Sequence, residues 1–225
     1  MKYPIGIQNF RELRIGGYVY VDKTWHIYNI VNSGKYFFLS RPRRFGKSLL
    51  LSTMNELYSG SRELFKGLWI EDNWDWEAKK RPVIWLKFAS FQYKHVSLRE
   101  AVTAGLQEEA SRLGVAVTIS ETTHPFSDLI KKVHARYGQK VLILIDEYDK
   151  PIIDYLDNIP QAEANRDTLK WLYSILKDSD PYIELLFITG VSAFSKVSIF
   201  SDLNNLANIS LDPAGYTLLG ITQEE

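Results

Sequence analysis

Gly46, Lys47 and Ser48 lie in the segment Ser40–Leu51, SRPRRFGKSLLL, which joins the apolar run Tyr36–Leu39 to an apolar, helix-compatible stretch. A Gly-Lys-Ser sequence at a strand-to-helix junction has the chemistry of a phosphate-binding loop. N–H groups of the turn and the positive end of the helix hold phosphate oxygens, the lysine amine reaches the terminal phosphates, and the serine hydroxyl is offered to Mg²⁺. Arg43, Arg44, Phe45, Gly46, Lys47, Ser48 and Leu49 are therefore expected to line a phosphate cradle. The usual loop opens with a glycine, but Arg41 stands at that place and Pro42 follows it. Taken alone, the tripeptide also describes a basic turn capping a helix, so a second group must decide.

That group is Val141–Glu147, VLILIDE. Its apolar, largely β-branched run reads as a strand buried on both faces, hence part of a parallel sheet covered by helices. Acids at the carboxyl end of such a strand stand where open α/β sheets bind ligands. In this Walker B pattern Asp146 is expected to hold Mg²⁺ through water, and Glu147 to polarise the attacking water as general base. Either motif alone is common. Both in this order, with strand and helix material between them, point to a nucleoside-triphosphate site.

These groups need a scaffold. Tyr36–Leu39, Pro82–Phe88, Val141–Ile145 and Tyr182–Thr189 read as core strands, and Ala207–Leu211 as a possible fifth. Helices are predicted over Trp25–Val31 (Asp22 and Thr24 offering caps), Ser48–Tyr58, Ser97–Leu113, Phe126–Tyr137 and Ala164–Leu176. A short strand is expected at Tyr18–Val21, and Ser61–Lys80, with Trp69, Trp74 and Trp76, reads as a surface excursion. Alternating strands and helices give an α/β fold with a doubly wound parallel sheet and right-handed crossovers. A further strand between the two Walker strands marks the P-loop NTPase subclass that carries a catalytic Glu beside the Walker B Asp. Pro82–Phe88 is expected to fill that place. In this subclass a polar residue ending the fourth strand senses the γ-phosphate. Thr189 and Ser192 are the sensor candidates, with Asn204 or Asn205 as weaker ones.

Composition narrows the alternatives. In 225 residues with 45% apolar content there is room for one substantial core. Lys plus Arg and Asp plus Glu each number 27, so a formal charge of zero gives no whole-chain attraction for nucleic acid, and no direct nucleic-acid binding by this segment is expected. The positive charge gathers locally, at Arg41, Arg43, Arg44 and Lys47. There is no cysteine, which excludes disulfides and thiolate metal sites and agrees with a reducing cytoplasm. The opening Met1-Lys2-Tyr3-Pro4 is unlike a signal peptide, and no apolar run approaches the roughly 18 residues of a membrane span. His26, His95, His124 and His134 are scattered without ligand spacing and are expected to face solvent or to be incidental.

The stretches YPIGIQNFRELR, YVYVDKT, FFLSRPRRFGKSLLLSTM, LILIDEYDKPI and ITGVSAFSKVSIFSDLNNL resemble the bacterial AAA-ATPase-like family over nearly the whole chain. Arg in place of the first loop glycine is usual in that family. The resemblance implies ATP as ligand, Lys47 and Ser48 as phosphate and Mg²⁺ contacts, and Asp146 and Glu147 as the Walker B pair. It also implies a base pocket near Ile7 and Phe10, and possible homo-oligomers. Relatives continue into a helical region and commonly a PD-(D/E)XK nuclease-like domain, and they usually carry a basic residue where this chain has Ala193. The expected organisation is an N-terminal arm over 1–35 packing on the nucleotide site, a P-loop ATPase core over 36–221, and the start of a truncated C-terminal region at 222–225. There Thr222 and Glu225 have capping-box spacing. The leading expectation is an ATP-hydrolysing module that drives or gates an absent effector region. The alternative, which Ala193 favours, is a nucleotide-gated regulatory module with little or no hydrolysis.

Overall fold

The structure, a computed structural model, describes residues 2–192, 199–200, 203 and 205–223. Ala193, Asn204 and Glu225, each named above, lie outside the described residues.

Strands β1 (Tyr36–Ser40), β2 (Val83–Lys87), β3 (Val141–Asp146), β4 (Ile183–Gly190) and β5 (Ala207–Asn208) form one parallel sheet in the order β2-β3-β4-β1-β5. Side chains alternate between its faces, as the pleat requires. Tyr36, Phe38, Ile143 and Ile145 enter a core closed by helices α4 (Leu98–Arg112), α5 (Pro125–Tyr137) and α7 (Ile159–Ser174), the last preceded by the single turn α6 (Lys150–Ile153). Phe37, Leu39, Leu142 and Leu144 enter a second core closed by α1 (Phe10–Ile15), α2 (Thr24–Ser33) and α3 (Lys47–Ser59). This is the doubly wound α/β architecture. Every residue of β3 is buried. An unpaired charge inside such a strand costs several kcal/mol, about what two or three buried aliphatic side chains return. An acid therefore enters only at the carboxyl end, as Asp146 does.

Pro82–Phe88 was expected between the two motif strands. In the sheet β2 pairs with β3 alone, and the strand hydrogen-bonded to both β1 and β3 is β4. The register sets Leu39 opposite Thr189, Ser40 opposite Gly190, Ile145 opposite Ile188 and Lys87 opposite Asp146. The carboxyl ends of these strands thus share one edge of the molecule.

Local chemistry explains most element boundaries. Asp22 Oδ1 accepts from Thr24 N (2.8 Å) and Thr24 Oγ1 (2.6 Å), opening α2. Ser97 and Glu100 form a capping box at α4. Helix α7 starts before Ala164, because Asn158 Oδ1 accepts from Gln161 N and Pro160 occupies the first turn. Tyr18–Val21 forms no strand; Val19 N donates to Lys2 O at 2.9 Å. Ser61–Lys80 is no mere surface excursion. Phe65 and Ile70 are fully buried, and Trp74 and Trp76 nearly so, while Trp69 keeps the outer position. His26, His124 and His134 are partly buried and hydrogen-bonded, to Thr217, Trp171 O and Gln139 O, and the rings of His124 and His134 pack on Trp171 and Tyr182; His95 alone is exposed. The arm is fixed to α3: Phe10 N–H donates to Ser52 Oγ at 2.9 Å, and Arg11 forks onto Glu56 at 3.2 and 2.7 Å. No helix among the described residues is long and apolar enough to cross a membrane.

Candidate functional site

Helix α3 begins at Lys47, directly after β1 and a five-residue loop, Arg41-Pro42-Arg43-Arg44-Phe45, and the capping Gly46. Gly46 adopts φ +83°, a left-handed conformation that costs glycine little. Arg44 takes φ +69° without that freedom, at a cost of about 1–2 kcal/mol. The first intrahelical bond runs from Leu50 N to Gly46 O at 2.9 Å, and among the described residues no side chain caps the helix start. The N–H groups of Lys47, Ser48 and Leu49 precede that bond, and with the helix dipole they make an anion site.

The Lys47 side chain is buried and folds back on the loop. Its amine donates to Arg41 O at 2.8 Å and Pro42 O at 3.0 Å. Burial holds its pKa below the ordinary lysine value, against the opposing pull of Asp146, Glu147 and Asp149. Asp146, at the end of β3, accepts from the buried Thr189 hydroxyl at 2.6 Å. Glu147 takes a left-handed φ of +55°, which turns the chain sharply off the strand. Burial, then the neighbouring Asp146 charge, raises its pKa, opposed by Lys150, Lys47 and Arg43. Two carboxylates and one amine therefore share a partly dehydrated edge of the sheet.

The remaining sequence-derived residues fall as follows. Ser48 and Leu49 are half-buried in the first turn of α3, whereas Arg43, Arg44 and Phe45 are exposed around the loop. Thr189 has its hydroxyl committed to Asp146, and Ser192 Oγ donates to Asp149 at 3.0 Å. Asp149 is almost wholly buried and also accepts from Val191 N at 2.9 Å and Ser192 N at 2.7 Å. It fixes the turn after β4, a role sequence reasoning missed although Asp149 stands two residues past Glu147. Asn205 lines a cavity of about 330 Å³ with Lys35 and Tyr36, at the opposite end of β1.

Beside Gly46 opens an apolar cleft of about 810 Å³, lined among others by Val19, Tyr20, Phe45, Leu49 and Leu219. Phe10 takes no part. It is fully buried, its ring 5.1 Å from that of Tyr20 and 4.8 Å from that of Phe65. Ile7 is not in the lining either. The signals that could have found this wall were two apolar stretches, Tyr18–Val21 and Leu218-Leu219, the latter outside every predicted element.

The donor set fits Mg²⁺. Ser48 and Asp146 offer hard oxygens, and the Asp146 charge beside Glu147 helps raise the pKa of Glu147, a strain that a cation between them relieves. Among the described residues no group of three or more His, Asp or Glu could hold a metal. Mg²⁺ characteristically uses few protein ligands and fills its octahedron with water and phosphate.

Residues 4–200 match the family model described as Predicted AAA-ATPase. An uncharacterized protein in the vnfD 5' region of Azotobacter chroococcum mcd 1 is 45% identical over 228 residues, an alignment that takes in all of this chain and 44% of that relative. The chain thus spans less than half the length of this curated relative. No solved structure gives a significant match.

Proposed function

The chain belongs to the AAA-ATPase-like family, and from that premise we propose that it binds ATP with Mg²⁺ and hydrolyses it. The observation that carries the proposal is the gathering of the Lys47 amine, Asp146 and Glu147 at one sheet edge, beside a helix start that no described side chain caps. On binding, Lys47 exchanges two loop carbonyls for terminal phosphate oxygens, and the first N–H groups of α3 hold the remaining phosphates. Ser48 and Asp146 are the residues to hold Mg²⁺, which when bound supplies charge neutralisation for the phosphates. Thr189 keeps the Asp146 carboxylate in place. Glu147, made more basic than an ordinary glutamate, accepts the proton of the attacking water. The purine enters the apolar cleft beside Gly46.

In this reading β4 is the strand inserted between the Walker strands, which supports the subclass with a catalytic glutamate. By the resemblance, hydrolysis drives or gates a C-terminal effector region that is nuclease-like; the relative is more than twice as long as the part aligned. Equilibrium binding of ATP with and without Mg²⁺, alongside phosphate release, tests the proposal. Mg²⁺-dependent release that Asp146→Asn abolishes supports hydrolysis; retained nucleotide with no release supports a gating module instead. No ATP binding at all overturns the proposal.

A further inference from the structure

Arg41 stands where the usual loop has a glycine, and its guanidinium reaches a distant part of the chain. Nη1 donates to Ser40 O at 2.9 Å and to Ser210 O at 2.6 Å, and Nη2 donates to Gly215 O at 3.0 Å. Ser40 N–H adds a bond to Ser210 Oγ at 2.8 Å. The N–H of Arg41 itself donates to Gly190 O at 3.1 Å. One residue thus ties the start of the phosphate loop to the end of β4 and to segment 210–215.

A few residues later the same segment becomes a wall of the cleft. Leu218, Leu219 and Ile221 line it, and a Cβ on Gly46 would stand 3.9 Å from Leu219 Cδ2. The approach at Gly215 is tighter still. A Cβ there would meet Ile209 O at 2.0 Å, so only glycine lets this carbonyl reach Arg41 without a backbone shift. A guanidinium, with donors fixed in a planar fork, can hold carbonyls of three residues at once, whereas a lysine amine offers a compact point charge on a flexible stem.

We infer that Arg41 is a positioning residue for base selectivity: anchoring 210–215 sets the Leu218–Ile221 wall against the phosphate loop, so that a nucleoside triphosphate is held in preference to a bare polyphosphate. The inference rests on the nucleotide reading above and adds a specificity determinant to it. Phosphate contacts come from the loop and α3, which Arg41 does not contact through its side chain. The base contacts come from a wall that Arg41 holds.

Competitive binding of ATP and inorganic tripolyphosphate to the chain and to Arg41→Ala, Arg41→Lys and Gly215→Ala tests this. The unaltered chain prefers ATP. Arg41→Ala loses about tenfold or more in ATP affinity and less than about threefold for tripolyphosphate. Gly215→Ala, remote from the phosphates, shifts the preference the same way, and Arg41→Lys restores it only in part. Should Arg41→Ala fail to fold, Arg41→Lys and Gly215→Ala carry the comparison. Hydrogen exchange across 206–221 slows on adding ATP to the unaltered chain and does not slow in Arg41→Ala. Equal losses for both ligands, or an unchanged preference in folded variants, overturn the role of Arg41 and leave the nucleotide reading standing. Binding of neither ligand to the unaltered chain overturns both.

Discussion

Replacing Lys47 by alanine separates the proposed phosphate role from a merely structural one. In the unliganded protein the amine is dehydrated and satisfied by two neutral carbonyls, at 2.8 Å from Arg41 O and 3.0 Å from Pro42 O. Its lowered pKa, caused chiefly by burial, means that the folded state disfavours its charge. Deleting the amine therefore relieves that penalty and leaves the two carbonyls at an open loop, so the unliganded variant melts close to the parent. In the ATP complex the same amine would meet charged phosphate oxygens, and charge-assisted bonds are roughly twice as strong as neutral ones. A loss of about 2–3 kcal/mol follows, or about 30- to 150-fold in affinity. At an ATP concentration of about 100 times the parent Kd, binding stabilises the parent by about 2.7 kcal/mol. For a domain of this size that raises Tm by about 5–11 °C. The variant under the same conditions keeps only about 0.3–0.9 kcal/mol, a rise of about 1–3 °C. Thermal denaturation with and without Mg²⁺-ATP measures both numbers. A full ATP shift in Lys47→Ala refutes the site; a collapse of the unliganded Tm refutes the argument from burial.

Two further outcomes follow from the acids. Glu147→Gln should retain ATP binding and stop phosphate release, and at pH 7 its unliganded Tm should exceed the parent's. The folded pKa of Glu147 is raised by burial and by Asp146, so the parent keeps its full stability below the ordinary glutamate range and loses some as pH rises through the raised value. The Tm gap should close on acidification below about pH 4, the ordinary glutamate pKa being about 4.3, and a gap independent of pH would contradict the assignment. Thr189→Val removes a buried hydroxyl that donates to Asp146 at 2.6 Å, keeping its volume. Losing a bond to a charged acceptor costs about 1.5–3 kcal/mol, which lowers Tm by about 3–12 °C; an unmoved Tm would show that the hydroxyl does not hold the carboxylate.

How much of this was legible in the sequence depends on how far apart the cooperating residues lie. Gly46, Lys47 and Ser48 adjoin one another, as do Asp146 and Glu147, so each half of the site is a local pattern with a chemical reason. The alternation of Phe37, Phe38 and Leu39 between the two cores follows from the strand period once both faces are covered. Sheet order does not follow in this way. That β4 rather than β2 lies beside β1 depends on contacts between elements far apart in the chain, and within Val83–Lys87 the exposed Lys87 is the only hint of an edge position. The partner of Thr189 was hidden for the same reason, since only the β3–β4 register brings its hydroxyl to Asp146. The cleft was least legible. Its walls come from Val19–Val21 and Leu218–Ile221, apolar residues that are indistinguishable from core until the two ends of the chain are placed together.

The missing loop glycine is the instructive case. Glycine is required where φ is positive or where backbone approaches too closely for a Cβ. Arg41 meets neither condition: among the described non-glycine residues positive φ occurs only at Arg44 and Glu147, and the N–H of Arg41 extends the β1 ladder by bonding Gly190 O at 3.1 Å. The turn is made further on, by Arg44 at φ +69° and Gly46 at φ +83°. With no positive φ at position 41, any L-residue that keeps the N–H donor fits there, and a long side chain can leave the cradle free. The demand for glycine reappears at Gly215, where the carbonyl that receives the guanidinium sits on a backbone pressed against Ile209 O. A departure from the loop pattern at one end of the chain is thus matched by a glycine near the other, and the two make physical sense only as partners.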